Sequence, residues 1–176
     1  MHHAHRNSPA RETGSAAVIA TSAFWGVNSF AAPNSAAGNS FDQAVQSQVT
    51  AAFARFIGGQ NAHDSSVVSE VLLDSPEFVW AQYGGNSVWG YDQAITSFGE
   101  NWKGTWHLDP QLSELRISAV APGVAVLITP LLFTEGDPGE QASTLPVRWG
   151  GVFVKTTVGW RISSIFITPF PRWHTK

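Results

Sequence analysis

Apolar residues recur at helical spacing through Val45, Val49, Ala52, Phe53 and Phe56, while Gln46, Gln48, Thr50 and Arg55 fall off that line. A single apolar stripe with a period near 3.6 predicts an amphipathic helix that must cover a sheet. Ser40 and Gln43 have the spacing of a capping box, whose side chains satisfy free backbone N–H groups at a helix start, so the helix is expected to begin near Phe41. Gly58-Gly59 is its expected stop or weak point. Asp64 is placed to cap a short second helix carrying Val67, Val68, Val71 and Leu72, and Asp74-Ser75-Pro76 ends it. A third helix is expected from Tyr91, with Ala94, Ile95, Phe98 and Trp102 on its inner face.

Elsewhere the pattern shortens to period two. Phe78 to Tyr83 reads as a strand and Ser87-Val88-Trp89 as its return across Gly84-Gly85-Asn86, with Gly90 breaking the pairing. Leu112 to Val120 and Val124 to Thr134 follow as strands, separated by Ala121-Pro122-Gly123 and closed by the turn cluster Glu135-Gly136-Asp137-Pro138-Gly139. The strongest local signal is the last hairpin, Arg148 to Thr156 turning through Thr157-Val158-Gly159 into Trp160 to Thr168. Helices first and an antiparallel meander afterwards define an α+β fold in which the sheet curls round the helices.

At 176 residues and 43% hydrophobic content the chain suits one domain with one core. Ten Lys and Arg scattered through a chain of net charge −3 make no basic stripe, which argues against nucleic acid as a partner. With no cysteine, the chain has no disulfide, thiolate metal site or Cys nucleophile. The first residues differ from the rest. Arg6 and Arg11 precede a small apolar stretch from Ala16 to Val27, and Ser29-Phe30-Ala31 before Ala32-Pro33 offers a cleavage pattern. That order fits a secretory signal, with a disordered extension or an over-long start as the alternative. The stretch is too interrupted to span a bilayer, so no membrane partner is expected. Residues 1–39 are thus read as signal peptide and linker, with Pro33 to Asn39 the linker, and residues 40–176 as the domain. On that reading the protein is secreted or periplasmic, and otherwise cytoplasmic. His2, His3 and His5 on such a terminus are incidental.

Asp64 before the second helix, Asp74-Ser75-Pro76-Glu77-Phe78-Val79 at the first strand, Gly90-Tyr91-Asp92-Gln93-Ala94-Ile95 at the third helix and Gly159-Trp160-Arg161-Ile162 at the last strand stand in a telling order. From about Phe41 to Thr168 that order resembles SnoaL-like domains of the nuclear transport factor 2-like superfamily. The resemblance implies a cone-shaped curved antiparallel sheet wrapped around three N-terminal helices, with a pocket inside. It implies no one chemistry, because isomerases, cyclases, dehydratases, hydrolases and non-catalytic proteins share the fold. Ketosteroid isomerases place a base carboxylate near the end of the first strand. Here that segment reads Trp80-Ala81-Gln82-Tyr83, without a carboxylate, which counts against such an isomerase. Cyclases and dehydratases of this shape use His and Asp side chains inside the cone.

Of the histidines past the leader, His63 and His174 fall in a helix connection and the tail, and His107 alone lies near the sheet. His107 and Asp109, two apart, share a face if they lie on a strand, and Asp109 would then orient His107 as an acid/base pair with Tyr83 or Tyr91 donating a hydrogen bond. Pro110 favours a loop there instead, and a structural histidine is the competing reading. No third or fourth metal ligand is evident, and no cofactor is expected. Seven of the eight Trp lie in the domain. Trp80, Trp89, Trp102 and Trp106, with Tyr91 and Phe56, are candidates to wall a pocket for a small apolar or aromatic molecule, against ordinary core filling. Arg148 and Arg161 on the final strands are candidates for an anion or for the solvated face. Gly150-Gly151 marks a bulge or a close approach. Three functions remain open: a ligand-binding protein, a cofactor-independent lyase, cyclase or hydrolase, and a homodimeric interaction module with a filled cone.

Overall fold

The structure, a computed structural model, describes residues 35–85 and 87–169, and the backbone alone for residues 35–41. The segment carrying the leader, His2, His3, His5 and the cleavage pattern, and the tail with Trp173 and His174, lie outside these residues. Helix α1 (Ser35–Ala62) presses Val45, Val49, Phe53, Phe56 and Ile57 into the core. It starts before the expected capping box and includes Ser35 to Asn39, so Ser40 lies inside the helix and those linker residues are helical. It also runs through Gly58-Gly59. The reason is packing: a Cβ on Gly59 would stand 2.9 Å from Val67 Cγ1, so the glycine lets α2 (Ser65–Val71) approach.

Two short bonds close α1. The amide of His63 donates to the Gln60 carbonyl (3.2 Å) and that of Asp64 to the Gly59 carbonyl (2.9 Å), a Schellman arrangement with His63 at φ 55°. A residue with a Cβ is unusual there. The His63 ring lies parallel to Trp102, centroids 5.8 Å apart, and its Nε2 sits 3.2 Å from the Trp106 carbonyl. Asp64 then caps α2 as expected, accepting from the amides of Ser66 (2.9 Å) and Val67 (3.2 Å). The Ser66 hydroxyl, with these amides, holds the Asp64 carboxyl below its ordinary value of 3.8.

The strands β1 (Val79–Ala81), β2 (Ser87–Trp89), β3 (Thr105–Pro110), β4 (Arg116–Ala121), β5 (Val124–Gly136), β6 (Ser143–Thr156) and β7 (Gly159–Pro169) form one sheet. Its order is β2-β1-β7-β6-β5-β3, and β4 also pairs with β5. Helix α3 (Tyr91–Asn101) follows the β1–β2 hairpin. The final hairpin has the expected partners, closing at Thr156 opposite Gly159. One pair departs from an all-antiparallel sheet, because β1 runs parallel to β7. The curved sheet covering three helices is the expected α+β cone.

Leu112 is not yet strand. Leu112–Glu114 forms one 3-10 turn, and β4 begins at Arg116. Pro130 explains the break, since it has no N–H for an outer neighbour and sits where β3 ends and β4 has not begun. Its carbonyl accepts from the Gln111 amide at 2.9 Å. Edge strand β3 is covered by α1. The Asn61 side chain accepts from the Leu108 amide (2.8 Å) and donates to the Leu108 carbonyl (2.9 Å), replacing a neighbouring strand. Gly151 marks a close approach, with a would-be Cβ 2.4 Å from the Trp149 ring, while the register shift falls between Val152 and Phe153.

Candidate functional site at the open end of the cone

Alternation on the strands decides what enters the cone. On β3, Trp106 and Leu108 are buried, and Thr105, His107 and Asp109 are exposed. His107 and Asp109 therefore do lie on a strand and do share a face, but it is the face opposite Trp106. Inside, Phe98 is the hub. Trp80 stacks on it at 4.3 Å, Trp102 lies parallel at 6.1 Å, and Phe56 and Trp106 meet it edge-on at 6.2 and 6.4 Å. Trp106 in turn meets Phe133 at 4.7 Å. Aromatic rings thus fill the part of the cone expected to be hollow. Trp89 stands apart, 64% exposed, and Tyr91 ties α3 to α2 by donating its hydroxyl to the Ser69 carbonyl (3.3 Å).

A polar group sits within this aromatic cluster. Gln60, fully buried, accepts through one Oε1 from the indoles of Trp106 (2.9 Å) and Trp102 (3.2 Å). The two donors fix the amide's orientation, and among the described residues its Nε2 has no partner, nor has the indole N–H of Trp80. Gln60 continues the stripe of α1 beyond Phe53 and Phe56, and the expected stop at Gly58-Gly59 hid it.

Above the rings lie two open clefts. One, of about 560 Å³, is lined by Trp80, Gln82, Ser87 and Val88 of the first hairpin, Ser97 and Asn101 of α3, Trp106 and Glu135. The other, about 510 Å³, shares Asn101, Trp106 and Glu135 and extends along Asp137 to Gln141. Glu135 follows Leu131 and Phe133 on the inward face of β5 and pairs across the ladder with Trp106. The expectation of a turn from Glu135 onward concealed this, since β5 runs on to Gly136. The Tyr83 hydroxyl donates to Glu135 Oε1 at 2.5 Å. Burial, and then the Glu135 carboxylate, push the Tyr83 phenol above its ordinary value of 10.0, so it remains a donor.

Of the sequence-selected residues, Trp80 and Trp106 line these clefts, Tyr83 holds the carboxylate beside them, and Phe56 and Trp102 pack behind. Arg148 is on the outer face of β6. Arg161 lines a separate cleft of about 440 Å³ with Arg55, Glu70 and Trp160. Among the described residues no three His, Asp or Glu side chains gather as metal ligands, and no helix is long and apolar enough to cross a membrane.

The fold has solved counterparts. A nuclear transport factor 2-like superfamily protein from Salmonella enterica matches with a TM-score of 0.65 and 19% identity over 76% of this chain and 96% of its own. A protein of that family from Streptomyces avermitilis, put forward as a dehydratase, matches at 0.63 and 18% over 74% and 98%. A Novosphingobium aromaticivorans protein, put forward as a scytalone dehydratase, matches at 0.66 and 8% over 75% and 88%. At these identities the likeness is one of fold. No curated protein matches. The model of the SnoaL-like domain matches residues 49–168, from the buried Val49 of α1 to the penultimate residue of β7, and the chain belongs to the SnoaL-like family.

Proposed function

We propose that this protein binds a small molecule in the clefts over Trp80 and Trp106, beside Glu135. The carrying observation is a half-buried carboxylate, held by Tyr83, at the lip of a cleft of about 560 Å³ whose floor is indole. Ligand sites typically combine such a volume with aromatic walls and a few placed polar groups. The polar lip changes the expected ligand from a purely apolar molecule to one with an aromatic or alkyl body and hydrogen-bonding groups. Thermal-shift screening of a small-molecule library, with native mass spectrometry on protein purified gently from its host, tests this. Binders are expected to stabilise the natural chain and not the cleft-filling Ser87→Trp variant. Indifference to that plug, or an empty protein that no library member stabilises, would contradict the proposal.

A second reading concerns the outer sheet face. Ile128, Leu132 and Phe166 are exposed there, with Val126, Pro130 and Val152 half-buried around them. We propose that a second copy of this chain covers this face through an isologous contact, giving a homodimer. Analytical ultracentrifugation should show a dimer that Phe166→Asp converts to monomer; a natural chain that sediments as a monomer overturns it.

A further inference from the structure

We infer that the cleft between α1, α2 and the final hairpin binds a small organic anion, a carboxylate or phosphate head on a short apolar body. This site is separate from the clefts beside Glu135 and does not depend on them. It has a volume of about 440 Å³. Arg55 comes to it from α1, Glu70 from α2 and Arg161 from β7, and the rest of its lining is alanine, valine and Trp160. The register brings Arg161 there. Pairing of β1 with β7 stops at Ser164, so nearer the turn the free side of β7 meets the end of α2 through the bridge between Leu72 and Ile162.

The lining holds two guanidinium groups and one carboxylate. Arg55 spends its charge on Glu70, in an ion pair that bridges the two helices. Arg161 is half-buried and has no carboxylate partner among the described residues. One of its terminal nitrogens donates to the Trp160 carbonyl at 3.2 Å, which holds the guanidinium by one corner and leaves its other N–H groups to a ligand. That planar fork matches two oxygens of a carboxylate or phosphate. Lys155, across the hairpin from Trp160, adds positive charge beside the cleft. Its ammonium donates to the neutral Gln48 Oε1 at 2.6 Å and lies 5.6 Å from the centre of the Trp160 ring. The Trp160 indole N–H donates to the same oxygen at 3.0 Å, so the donors left for a ligand are those of the arginines. Charge of one sign in a cleft concentrates counter-ions of the other. A cation would meet two guanidinium groups, and a neutral apolar body would gain nothing from Arg161.

The test is an NMR titration of the full chain with butyrate, butyl phosphate and the uncharged isostere butyramide. At least one of the two anions is expected to bind tenfold or more above butyramide, with shifts at Val71, Val158 and Arg161, and the tighter of the two names the head group. Binding should fall at least fivefold in Arg161→Gln and at least threefold in Arg161→Lys, which keeps the charge and loses the fork. Glu70→Gln should act in the opposite direction and tighten binding at least twofold, because it frees Arg55, an effect that a purely structural role for these residues does not produce. Should Arg161→Gln fail to fold, the lysine and Glu70 variants carry the test. Anions that bind no better than butyramide, or shifts equally strong around Arg116, would overturn the inference. So would weaker binding in Glu70→Gln.

Discussion

Tyr83 and Gln60 carry the polar design of the site. With only two tyrosines in the chain, a Tyr91→Phe background isolates the Tyr83 titration by tyrosinate absorbance. Tyr83 is expected to ionise above 10.0. Because burial is the larger cause, Glu135→Gln should return it only part of the way. The sign for stability follows. A phenol that keeps its proton longer when folded stabilises the protein fully below its unfolded value of 10.0, and that contribution is lost as pH rises beyond it. Gln60→Leu removes the acceptor of two indole N–H groups. It should cost about 1–3 kcal/mol in denaturant unfolding, the penalty of stranded buried donors less the relief of the unpaired Nε2.

Local chemistry shapes each element's ends, while tertiary packing overrules it inside. His63 holds a left-handed position that glycine would adopt freely, and its ring repays part of the strain on Trp102. His63→Ala and His63→Gly both lose the ring, but only alanine keeps the strain, so thermal unfolding should place the glycine variant about 1 kcal/mol above the alanine one. Gly151→Ala drives a methyl into the Trp149 ring and should destabilise by about 1–3 kcal/mol. The Asp64 cap, the hairpins and the three helices were legible because Asp64, Gly90 and the last hairpin's turn act within a few residues, whereas the capping box at Ser40 lies inside α1. Gly58-Gly59 misled because a glycine that breaks an isolated helix also permits close helix packing, a distant contact with Val67. The extent of α1 was therefore underestimated, and that of β5 likewise because Glu135 to Gly139 reads as a turn; with them went Gln60 and Glu135, each an inward residue of an element thought already ended. Trp80 and Trp106 were found from residue type alone, while the side of the sheet taken by His107 depended on a register no local signal fixes.

For the whole molecule, one face of the sheet is spent on core. Trp149, Phe53, Phe56 and Phe98 pack the cone behind the clefts, leaving recognition to its open end and, in the second reading, association to its outer face. The most direct test of ligand binding at the open end is a ¹H–¹⁵N spectrum of the indole N–H groups, recorded while a binder from the library screen is added. The Trp80 and Trp106 signals should shift with saturable dependence on concentration while those of Trp149 and Trp160 stay in place. Shifts confined to Trp149, Trp160 or Trp89, with Trp80 and Trp106 unmoved, would contradict a site at the open end of the cone.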